Sequence, residues 1–123
     1  MAKENKKTKH IEKIIDINEA IKKIPFPICY YTEVILRAGL IEPTDIQLPC
    51  YEKFLSRLEK EANMEDLQKV LSYNVHRILN RKWIDGSGFK VSNRYTYFRN
   101  SVLSGFARLK ADEEWLRSFY EGE

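Results

Sequence analysis

The sequence predicts a mainly α protein, a compact bundle of about five helices with a short hairpin-like loop near residues 83–91. Three observations carry that expectation. Apolar residues recur at helical spacing in successive segments, proline and glycine fall between those segments, and no strong alternating strand pattern appears. The 123 residues are 43% hydrophobic and 32% charged, which suits one ordered domain able to bury a core without staples. Residues 1–10 read as a flexible basic tail, and residues 11–123 as a single helical domain.

The elements follow in order. Ile11, Ile14, Ile15, Ile17 and Ile21 make a helical pattern that ends near Ile24, where Pro25 and Pro27 break it. Pro27 is suited to open a second helix over residues 28–38, with Gly39 as its left-handed cap. Residues 40–48 form a connector. Pro49 can start a third helix whose apolar face is Tyr51, Phe54, Leu55 and Leu58. Asn63, three residues before Asp66, is placed to cap a fourth helix from about Met64 to Lys82. Its apolar stripe is Leu67, Val70, Leu71, Val75 and Ile78, with Leu79 at the margin; the opposite stripe is Lys69, Tyr73, His76, Arg77 and Asn80.

Asp85-Gly86-Ser87-Gly88 is turn chemistry between two short apolar-aromatic pieces, the basis for the hairpin-like loop. The last long helix begins near Ser92 or Asn93. Tyr95, Phe98, Val102, Phe106 and Leu109 form its buried face, opposite Arg94, Tyr97, Ser101, Ser104 and Arg108. Asp112, Glu113 and Glu114 start a short terminal helix in a turn that suits the helix dipole, with Trp115, Leu116 and Phe119 expected to dock on the body.

The net charge of +3 conceals a strong asymmetry. Residues 69–110 sum to +8, with Asp85 as their one acid, whereas residues 14–68 and 111–123 each sum to −4 and residues 1–13 to +3. A basic block between acidic ones points to polyanion contact more than the total does. No run reaches the ~20 apolar residues needed to span a bilayer, and no h-region follows the basic stretch from Met1 to Lys9. The expected location is the cytoplasm, with Cys29 and Cys50 as reduced thiols and no membrane partner.

Nucleic-acid binding needs cations for phosphates, small polar donors to fix register, and flat rings where bases are unstacked. The two polar stripes supply Lys69, Arg77, Arg94 and Arg108 for charge. They also supply Asn80, Ser101 and Ser104 for hydrogen bonds, and Tyr73 and Tyr97 for stacking. The loop adds Arg81, Lys82 and Lys90 near Trp83 and Phe89. The competing reading is a pair of solvated faces whose charges pair with the acidic segments. A helix-turn-helix would need a shorter connection than the one between the second and third helices, although a winged arrangement using the 83–91 hairpin stays open.

Enzyme chemistry finds no foothold. His76 lies on the polar stripe with no His, Cys or carboxylate at metal spacing, and Cys29 and Cys50 make no zinc motif. GxxxxGK[ST], GxSxG and HExxH are absent, so no enzyme, cofactor or metal is expected. Tyr30, Tyr31, Tyr51, Trp83, Trp115, Phe119 and Tyr120 allow a rival role as a protein interface, with the terminal three expected mostly in the core.

The stretch Gly88-Phe89-Lys90-Val91-Ser92-Asn93-Arg94-Tyr95-Thr96-Tyr97-Phe98-Arg99-Asn100-Ser101-Val102-Leu103, continuing through Ala107-Arg108-Leu109, resembles a segment near the C-terminus of replication initiator and DnaD-like proteins of Gram-positive plasmids, phages and integrative elements. There a basic loop leads into an Asn-Arg/Pro-x-x-Tyr-Phe-Lys/Arg helix start. The resemblance spans residues 88–110 and implies DNA-contact roles for Lys90, Asn93, Arg94, Tyr97 and Arg99. The chain departs from the pattern in having no obvious N-terminal winged-helix domain. That favours a small accessory protein beside a polymerase, primase or helicase of the same element.

The expected function is therefore a non-enzymatic nucleic-acid-binding accessory protein in DNA replication of a mobile genetic element. DNA is the favoured partner, with ring stacking where it is single-stranded. The alternatives are an interaction subunit or adaptor of a larger replication enzyme, with little DNA binding of its own, and a DNA-binding transcription regulator.

Overall fold

The computed structural model describes residues 28–121. The expected basic tail over residues 1–10 and the helix over residues 11–24 lie outside them. Among the described residues are five helices: α1 (Tyr30–Ala38), α2 (Leu48–Glu61), α3 (Met64–Arg81), α4 (Arg94–Arg108) and α5 (Glu113–Glu121). The class is mainly α. None of these helices is long and apolar enough to cross a membrane. The chain divides between Ser56 and Arg57 into two compact units.

In the first unit, Gly39 ends α1 at φ +81°, the left-handed cap expected of it, and its N–H reaches the carbonyls of Ile35 and Leu36. The start is later than the proline suggests. Cys29 occupies the cap position, and its N–H donates to both carboxylate oxygens of Glu52 at 3.0 Å, which supplies the anion a helix N-terminus favours. No disulfide joins Cys29 and Cys50. Pro49 sits in the first turn of α2, where a missing N–H costs nothing. Tyr51, Phe54 and Leu55 on its apolar face are buried, as is Leu58 further along the helix.

In the second unit, Asn63 caps α3, its Oδ1 accepting from the Asp66 N–H at 3.1 Å, and Asn93 caps α4 through the Thr96 N–H at 3.0 Å. The α3 core face is Leu67, Val70, Leu71, Asn74 and Ile78. Val75, expected there, is half-buried, and Asn74 stands in the stripe one turn beyond Val70. The α4 face buries Tyr95, Phe98, Val102 and Phe106, together with Leu103 and Arg99. Leu109, expected on that face, is 44% exposed at the C-cap position, one residue past the last turn of α4.

The loop is hairpin-like, with one antiparallel bridge between Ile84 and Lys90. Asp85 holds its tip: Oδ1 accepts the N–H groups of Ser87 and Phe89, both at 2.9 Å, and Gly88 takes φ +86°.

Helix α5 docks through its aromatic residues. Trp115 meets Phe106 and Phe119 edge to face, with centroids 5.5 and 5.0 Å away. Phe119 is buried, Trp115 and Leu116 half-buried. The C-terminal turn of α2 completes the dock. The Arg57 guanidinium lies 3.9 Å from the Phe119 ring centroid and donates to Ser118 Oγ, while Trp115 Nε1 donates to Glu61 Oε1 at 2.9 Å. Hydrogen bonds from Arg57 and then Trp115 hold the Glu61 carboxyl below the usual carboxylate range. A depressed folded value means the stabilisation is complete above the unfolded value, about 4.3, and is lost as pH falls through the folded one. Glu61→Gln is therefore expected to weaken α5 docking at neutral pH and to flatten the acid limb of stability below about pH 4.3, read by tryptophan fluorescence in urea melts. An acid limb as steep as the wild type's would show that Glu61 does not hold the dock.

Candidate nucleic-acid interface

Helices α3 and α4 run antiparallel, since Val70 near the start of α3 meets Gly105 near the end of α4 and Arg77 reaches back to Tyr97. The close approach depends on Gly105. A Cβ there would lie 2.8 Å from Val70 Cγ1 and 3.6 Å from Asn74 Nδ2, so only a residue without a side chain lets the backbone in.

Along the outer edge of this seam runs an open groove of about 670 Å³. One wall is Lys69, Tyr73 and Arg77, spaced four residues apart on α3; the other is Tyr97, Ser101, Ser104 and Arg108 on α4. Most of the two polar stripes read from the sequence therefore faces a common groove, although His76, Asn80 and Arg94 do not line it. Lys69, Arg77 and Arg108 line it, and no carboxylate does among the described residues. Lys69 has a carboxylate neighbour one turn back, Glu65 at 3.5 Å, but both side chains are well exposed and such a pair is weak.

Arg77 is held without being neutralised. Its Nη1 donates to the Tyr97 hydroxyl at 3.3 Å and its Nη2 to Asn74 Oδ1 at 3.2 Å, both uncharged partners. Its Nε is buried with no partner. The guanidinium carbon lies 5.9 Å from the ring centroids of both Tyr73 and Tyr97. Asn74 anchors the arrangement, 2% exposed, with Nδ2 donating to the Val70 carbonyl at 2.8 Å. A positive charge fixed by neutral groups at the wall of a groove is a preorganised anion contact.

Of the residues expected to contact nucleic acid, Lys69, Tyr73, Arg77, Tyr97, Ser101 and Arg108 come together here. The others lie elsewhere. Asn80, Arg81 and Lys82 are exposed at the end of α3. Lys90 and Asn93 line a smaller depression of about 290 Å³ beside the loop, where Asn93 also caps α4. Trp83 is only 7% exposed, its ring edge-on to Tyr97 and beneath the Arg94 guanidinium at 5.0 Å, so it offers no open face to a base. Arg99 is 8% exposed against the rings of Tyr95 and Tyr120 and serves the core.

Asn74, Asn100 and Gly105 line the groove although the sequence reading did not place them there. Asn74 had a signal: a polar residue in register with Val70, Leu71 and Ile78 must be buried and must find partners. His76 is exposed, and among the described residues no group of three His, Cys, Asp or Glu side chains could hold a metal ion. No protein-family model, curated protein or solved structure matches the chain.

Gly105→Ala tests the seam. Overpacking costs about 1–3 kcal/mol, against a helix-propensity gain of about 1 kcal/mol, so a net loss is expected in urea denaturation. In a Val70→Ala background, which removes the clashing methyls, the same change should become neutral or stabilising. Equal losses in both backgrounds would mean that Val70 does not set the approach.

Proposed function

We propose that this chain is a non-enzymatic nucleic-acid-binding accessory protein that grips the phosphate backbone in the α3–α4 groove. The observation that carries the reading is the convergence of Lys69, Arg77 and Arg108 on one groove that no carboxylate lines among the described residues. Phosphate neutralisation with counterion release supplies the affinity, and Ser101, Ser104 and Asn100 offer neutral partners that fix register. The resemblance of residues 88–110 to replication initiator and DnaD-like proteins favours DNA as the polymer. It also favours a role in replicating a mobile element, beside its polymerase, primase or helicase. A cytoplasmic location follows from that role.

An adaptor for a larger replication enzyme is the second reading. Phe89 at the loop tip is 72% exposed and Ile84 beside it 41%, an apolar pair of the kind protein partners cover.

Fluorescence anisotropy with labelled oligonucleotides across a salt series separates the two. Three phosphate contacts predict a slope of log K against log salt of about −2 on single strands and about −3 on duplex. Arg108→Ala should weaken binding to every sequence alike and make the slope shallower by about 0.7–0.9. Absent or salt-independent binding at about 50 mM salt would overturn this function and leave the adaptor.

A further inference from the structure

A second depression adjoins the groove at Tyr97. Tyr97 and Asn100 line both, so the two lie end to end along α4 and together offer a track for one ligand. From Asn93 to Arg108 that track is about 22 Å long at 1.5 Å per residue. Cations punctuate its length: Lys69 and Arg108 at one end, Arg77 midway and Lys90 at the other. Among the described residues Asp85 is the one carboxylate on it, and its Oδ1 accepts from the N–H groups of Ser87 and Phe89.

The shape disfavours direct readout of a duplex and suits a single strand. Reading a duplex takes an element that projects into a major groove about 12 Å wide. Here Arg77, Tyr97 and Ser101 lie half-buried in the seam between two packed helices, Lys69 and Arg108 are exposed along its edge and Lys90 is on the loop, while α3 covers one flank of α4. Among the described residues that line the track, no bare helix is presented to a groove. A flexible strand can follow a concave track with spaced cations, its bases turned outward or onto a ring. Tyr73 provides that ring: it is 58% exposed at the rim, beside Arg77.

We infer that the track takes single-stranded nucleic acid in preference to duplex, with phosphates on Lys69, Arg77, Arg108 and Lys90 and one base stacked on Tyr73. This rests on the nucleic-acid reading above. At 3.4 Å per nucleotide the track spans at most about six nucleotides.

The test is anisotropy of the full chain with a labelled single strand, competed by the same unlabelled strand or by its duplex at one salt concentration. The single strand should bind at least ~10-fold more tightly, with affinity levelling off at or below about six nucleotides. Tyr73→Ala should lower single-strand affinity by about five- to a hundred-fold, the range base–aromatic stacking covers, and Tyr73→Phe should leave it unchanged. A fluorescent adenine analogue in the strand should be quenched by the wild type and by Tyr73→Phe but not by Tyr73→Ala. Duplex binding as tight as single-strand binding would overturn this inference and leave nucleic-acid binding standing. Binding of neither would overturn both, and an unchanged Tyr73→Ala would overturn the stacking contact.

Discussion

A Cβ at residue 105 would lie 2.8 Å from a methyl of Val70, so α3 and α4 reach their observed separation only because one of them lacks a side chain there. Much of the second unit's site follows from that contact. Asn74, one turn along α3 from Val70, is carried into the seam and buried, and its amide must then be satisfied from both ends. The Val70 carbonyl takes the donor side and Arg77 supplies the acceptor's partner. Arg77 is thereby turned along the helix toward Tyr97, on the facing wall. A glycine, an amide and a guanidinium thus translate helix packing into a charged groove edge.

The charge survives because its partners are neutral. An arginine paired with a carboxylate would have left the groove electrically quiet, whereas hydrogen bonds to Asn74 and Tyr97 and the two nearby rings fix Arg77 and leave its charge for a ligand. The opposite strategy operates at α5. There Arg57 and Glu61 pair at 3.0 Å, and Trp115 joins the same carboxylate, so those charges serve docking. Arg57 is thus used in packing, whereas Arg77 keeps a charge that no carboxylate pairs among the described residues.

Local chemistry made much of this legible. Gly39, Asn63 and Asn93 act as caps because their spacing from the helices leaves little alternative, and the wheel positions of Lys69, Tyr73 and Arg77 against Tyr97, Ser101, Ser104 and Arg108 already grouped the groove walls. Tertiary burial was harder to read. Trp83 looked like a contact residue, but the loop folds its indole under the Arg94 guanidinium and closes the ring's face, while Arg94 itself stays exposed. Arg99 carries a charge and nonetheless lies in the core, where rings receive it. Gly105 carried no sequence mark of its own, since only the facing Val70 gives the missing side chain a purpose.

Amide and side-chain NMR of the isotope-labelled chain, titrated with a short single-stranded oligonucleotide at low salt, shows whether the α3–α4 groove is the surface that binds. With a strand in the groove, the shifts of Tyr73, Arg77, Tyr97, Ser101 and Arg108 move together with one saturation curve, and the Arg77 guanidinium signal is among the most displaced. Saturating shifts confined to α1, the Phe89 loop tip or α5, with the groove unmoved, would contradict binding there.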